Sequence, residues 1–161
     1  MKHLYGLTLL EVLVVLALIV VLSGFSLNWV RGMVKKHRIA TEIQLLFSAL
    51  NEARYLAFTR KTTCGLVIGN NTFDSAEVRC DTDYDGDLQD QNGFQVLEDL
   101  QFRERYISGR TEVAFSKEGF TSDTTTIRPQ DTNILPEYSC ILVSNTRIKM
   151  GRWEGGQCNP R

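Results

Sequence analysis

No proline precedes Pro129, and from about Leu7 to Phe58 the side chains keep a helical rhythm without a break. A proline inside a helix removes one backbone hydrogen bond and clashes with the preceding turn. Its absence over so long a stretch permits one uninterrupted helix. The first part of that stretch is apolar on every side, and the 19 residues Val12–Val30 carry no formal charge. At about 1.5 Å per residue such a segment reaches about 28 Å, close to the thickness of a bilayer core. The second part is one-sided. Ile39, Ile43, Leu46, Leu50, Ala53 and Ala57 recur at steps of 4, 3, 4, 3 and 4, which is one face of a helix. Globular helices usually run about 8–20 residues, so the length calls for an anchor that continues into the spine of a folded domain.

After "TRKTT" the pattern changes to short strands. "TCGLVIG" and "SAEVRC" predict a hairpin, followed by the acidic loop "DTDYDGDLQDQNGF". Further strands are expected in "LQFRERYI", "TEVAFS", "TTTIR", "CILVSN" and "RIKMG", separated by Gly, Asn, Ser, Asp and Pro. The half-apolar helix must bury its stripe against this sheet, since neither surface is stable alone. The expected fold is α+β: a long N-terminal transmembrane and stalk helix packed on an antiparallel β-sheet domain. The transmembrane half covers residues 7–30, the amphipathic half 31–58 and the β-rich domain 59–161.

The chain has 161 residues and a formal net charge of -1, so no global field draws it to a polyanion. The four cysteines, Cys64, Cys80, Cys140 and Cys158, all follow the apolar segment, with no CxxC spacing and no histidine beside them. That excludes an ordinary zinc site and fits two disulfides in an oxidising compartment. Three pairings exist. A hairpin turning at "GNNTF" favours Cys64–Cys80, and Cys140–Cys158 would then close the C-terminal loop.

One carboxylate, Glu11, interrupts the start of the apolar run. At the centre of a membrane helix it would cost about 2–3 kcal/mol, and intramembrane acids are functional by default. The run "GLTLLEVLVVL" resembles the processing site of type IV pilins and pseudopilins, with Gly6 ending a polar leader, Leu7 opening the mature chain and Glu11 as its fifth residue. The resemblance implies a leader of residues 1–6, cleavage between Gly6 and Leu7 by a prepilin peptidase, and N-methylation of Leu7 by the same class of enzyme. Cleavage frees an α-amino group, cationic near neutral pH, that could pair with Glu11 of a neighbouring subunit. The early hairpin, the loop "CDTDYDGD" and the later "FSKEGF" are similar to the GspH/FimT family of minor pilins and pseudopilins. That family implies a structural subunit at a filament tip in a type II secretion system or a type IV pilus. It also implies a single-pass inner-membrane protein with a periplasmic C-terminal domain, and other pilins or pseudopilins as partners.

Two further patterns carry chemistry. Asp81, Asp83 and Asp85 alternate before Gly86, like the opening of a calcium loop; the competing reading is an acidic, solvated turn. No cofactor is required, and Ca2+ is the one candidate. Arg147, Lys149 and Arg152, with Trp153 beside them, are expected on one strand face, where they could hold the phosphates of DNA while the indole stacks on a base. DNA uptake is therefore the alternative function, and a solvated strand face the competing reading. No G-x-S-x-G, P-loop or HExxH sequence is present. The expectation is a protein that is not an enzyme.

Overall fold

The computed structural model describes residues 8–89 and 93–160, and for 22–29 the backbone only. Helix α1 runs unbroken over Leu9–Arg60, 52 residues. It stops where Lys61 turns into the left-handed region at φ 58°. Two compact units divide the chain, Met1–Lys35 and Lys36–Arg161.

In the first unit, the apolar side chains described between Leu9 and Val21 are 46–82% exposed, and they lie on every side of the helix. Among the described residues, however, no helix is long and apolar enough to cross a membrane. Glu11 falls within the apolar turns described at Leu9 to Val21, and a carboxylate there is costly in hydrocarbon. The expected single-pass inner-membrane placement, with a transmembrane segment at 7–30 and a periplasmic C-terminal domain, is corrected accordingly.

The second unit is α+β. Among the described residues eight strands follow the helix: β1 (Cys64–Val67), β2 (Thr72–Asp81), β3 (Phe94–Ser108), β4 (Glu112–Phe115), β5 (Thr125–Pro129), β6 (Cys140–Val143), β7 (Ile148–Glu154) and β8 (Gln157–Pro160). They form one sheet in the order β4-β1-β2-β3-β5-β6-β7-β8. Every neighbouring pair is antiparallel. Ile39, Ile43, Leu46, Leu50, Ala53 and Ala57 are all fully buried. They share one core with Leu66, Val78, Tyr106, Val113, Phe115, Ile127, Ile141 and Val143 from the sheet. The 4-3-4 spacing thus marks the face that the sheet covers.

Two sheet features went unread in the sequence. Strand β8 is closed onto β7 by a two-residue turn, with Glu154 opposite Gln157. Gly155 and Gly156 sit at φ 61° and 82°, the left-handed pair that a tight hairpin turn requires. Strand β3 is long, and between Gln101 and Tyr106 it bulges. Phe73 faces Tyr106 and Ser75 faces Gln101, so two steps of β2 oppose five of β3. Backbone N–H groups in such a bulge lose their ladder partners.

Candidate functional site

Glu11 lies in the first turn of α1. Its N–H donates to the Thr8 carbonyl at 3.0 Å and to Thr8 Oγ1 at 3.3 Å. Thr8 is therefore the N-cap and Glu11 the third helical residue, the T-x-x-E spacing of a capping box. A carboxylate there also meets the positive end of the helix dipole, worth about 0.3–1 kcal/mol. The sequence carried this local role in plain view beside the resemblance. Gly6 and Leu7, the expected cleavage and methylation positions, lie outside the described residues.

The cysteines form two disulfides. Cys64–Cys80 joins directly opposed residues of β1 and β2. Cys140–Cys158 reaches across β7 to tie β6 to β8.

The acidic loop after β2 is built by its own carboxylates. Oδ1 of Asp81 accepts the N–H groups of Asp83 (3.0 Å) and Tyr84 (2.7 Å), and Oδ2 accepts that of Gly86 (2.7 Å). Asp83, Asp85 and Asp87 each accept the N–H two residues on. This is a run of Asx turns, in which each side chain stands in for a backbone turn. Burial alone would raise the Asp81 carboxyl, yet the donated hydrogen bonds from Gly86, Tyr84 and Asp83 outweigh it and hold the group below its ordinary range. Carboxylate oxygens of Asp81, Asp83 and Asp85 converge to within 4.8 Å of one another. Both Asp81 oxygens are engaged by the loop backbone, so the structural role of this residue stands without an ion. The loop then folds over the sheet's outer face. Leu88, almost wholly buried, lies against Gly65, where an added Cβ would come within 2.8 Å of Leu88 Cδ1 and 2.5 Å of the Val113 carbonyl. Gln89 Nε2 donates to Glu112 Oε2 at 2.7 Å, and Arg79 donates to the Leu88 carbonyl at 3.0 Å.

The basic residues are not one patch. Arg147 sits in the turn before β7, bonded through its backbone to Ser144. Lys149 opposes Leu142, which opposes Thr126. These three share the face turned away from the core, because Ile127, Ile141 and Met150 fill the other one. Arg152 is three residues from Lys149 in a strand of regular register, and alternation puts it on the opposite face. The expectation of a shared face is corrected for that reason. What Lys149 does share its face with is Trp153, and the guanidinium of Arg128 lies 4.7 Å over that ring. Arg128 was missed because its partner is remote in sequence.

Also missed was Glu42, a buried carboxylate in the helix stripe. It accepts the N–H groups of Arg103 (3.0 Å) and Glu104 (3.4 Å) and the Tyr106 hydroxyl (2.9 Å). The first two are the N–H groups that the β3 bulge releases. Burial, with the Glu42 charge beside it, raises the Tyr106 hydroxyl far above its ordinary range, so it stays protonated as a donor. Glu42 sits at i+3 from Ile39, and that spacing was the available signal. No protein-family model matches the chain, nor does any curated protein or solved structure.

Proposed function

We propose that the chain is a structural subunit of a pilin-like filament, a minor pilin or pseudopilin serving a type IV pilus or a type II secretion system at the filament tip. The observation that carries the reading is α1 itself. Its first turns are ringed by exposed Leu, Val and Ile, and its later turns bury one stripe in a β-domain. A helix apolar on all sides calls for cover on all sides. Equivalent helices of neighbouring subunits supply it, and each Leu or Val so covered gains about 1.5 kcal/mol or more.

On this reading Glu11 sets register. The α-amino group freed by a prepilin peptidase at Leu7 pairs with the Glu11 carboxylate of an adjacent copy. Desolvating both charges offsets much of their attraction, so the pair selects an alignment more than it adds stability. The partners are other pilins or pseudopilins and the processing enzyme. No catalytic chemistry is assigned to the chain. The test is mass spectrometry of the protein recovered from its assembled state. The expected species begins at Leu7 and carries one added methyl, and Glu11→Ala lowers its incorporation at least tenfold. An assembled protein that retains Met1 overturns the reading.

A further inference from the structure

The outer face of the sheet is electrically divided. Toward β4, β1 and β2 it presents Glu112 and Glu77, the latter directly opposite Asp99 of β3, and the exposed Asp83, Asp85 and Asp87 loop follows β2 beside it. Like charges placed opposite each other on a sheet are destabilising, and Arg79 offsets only the first of the two, at 2.9 Å from Glu77. At the other end the register aligns cations. Ile107 opposes Arg128, which puts Arg105, two residues back along β3, on the same face as Arg128 and Lys149. Arg105 and Lys149 are exposed, and the Arg128 guanidinium lies 4.7 Å from the centre of the Trp153 ring. Gly65 of β1, on which the loop's Leu88 packs, and Arg128 on β5 are three strand steps apart, about 14 Å at about 4.8 Å per step. That exceeds the screening length of about 8 Å at physiological ionic strength, so the loop and Arg128 are largely screened from each other within one chain.

We propose that the acidic loop of one copy docks on the Arg105–Arg128–Lys149 face of a second copy. The inference rests on the filament reading and specifies the contact between β-domains. Both halves are prepared for it. The carboxylates of Asp83, Asp85 and Asp87 are each fixed through one oxygen by a backbone N–H. The Arg128 guanidinium is already oriented by the indole, a planar fork suited to carboxylates. The surfaces differ, so the contact is heterologous. Such a contact can repeat from copy to copy, and it builds an open filament where the rotation between copies does not close a ring. A nucleic acid fits less well, because the acidic half of the same face repels phosphates and the chain's net charge is -1.

The experiment uses the full chain as a mixture of isotopically light and heavy copies, cross-linked with a carbodiimide at low salt and mapped by mass spectrometry. A carbodiimide joins carboxylates to amines and not to guanidinium groups, so light-to-heavy links between the 83–87 carboxylates and the Lys149 amine are expected. Arg105→Glu with Arg128→Glu, or Asp85→Lys with Asp87→Lys, reduces links between loop and face at least tenfold. A chain carrying all four changes restores links between loop and face, now with carboxylates on the face and amines on the loop, because attraction returns with its sign exchanged; a merely misfolded variant would gain nothing from the second pair. Links indifferent to either reversal, a four-fold variant that stays unlinked, or duplex DNA bound at this face with no links between copies overturns the proposal. Failure here leaves the processed N-terminus at Leu7 intact, whereas failure of the filament reading appears at that terminus.

Discussion

Glu42 accepts three hydrogen bonds, from two backbone N–H groups and a hydroxyl, and this sets what its loss does. In Glu42→Ala the Arg103 and Glu104 N–H groups and the Tyr106 hydroxyl are left buried or half-buried without it. Each unsatisfied buried group costs about 1–3 kcal/mol, with water recovering part. Glu42→Ala therefore lowers stability by about 3 kcal/mol in urea unfolding, and Glu42→Gln by less, since its amide oxygen still accepts. Equal effects from both would show that charge, not acceptance, is what matters. Asp81 teaches the same lesson from a loop. Alternating aspartates read from sequence as cation ligands or as a turn, and the structure spends both oxygens of the first one on the turn. Residue types and spacing narrow the chemistry, but which hydrogen bonds a carboxylate accepts depends on neighbours brought in by folding.

Among the elements, α1 was legible nearly to its ends: about Leu7 to Phe58 expected, Leu9–Arg60 found. Its signal is local, a repeated 3.6-residue period with no breaker. Strands β1, β2, β4, β5, β6 and β7 were also legible, because turn residues bracket each short apolar run, and β3 was legible over 100–107 of its length. Strand β8 was not, since Gln157, Cys158, Asn159 and Pro160 show neither alternation nor strand propensity. Two attachments hold it to the sheet, the Gly155–Gly156 turn and the Cys140–Cys158 bridge. A disulfide closing a loop of this length contributes about 3 kcal/mol. Changing Cys140 and Cys158 together to Ser is expected to release β8, read as a loss of amide-exchange protection over 157–159 with β1–β4 unchanged. Protection that persists at β8 would assign its hold to the ladder alone.

For the whole molecule, each residue of the shared core lies at Ile39 or beyond, inside the unit Lys36–Arg161. A chain begun at Lys36 is therefore expected to keep a cooperative thermal transition and its β-sheet circular dichroism. A gradual, uncooperative melt would show that the first unit contributes to the core after all. The α+β class followed from sequence because a one-sided helix and alternating strands can bury their apolar faces only against each other. Membrane placement did not follow: an uncharged run is a necessary feature of a span, but among the described residues no helix is long and apolar enough to cross a membrane.

Sequence by itself determined where the helix is continuous and which of its faces is buried, because both are set by residues within a few positions of one another. Only the tertiary structure decided that Lys149 and Arg152 part company, that Arg128 lies on Trp153 and that Glu42 serves the β3 bulge. Those relations join residues distant in the chain, and they depend on strand order, register and a bulge that no local pattern encodes.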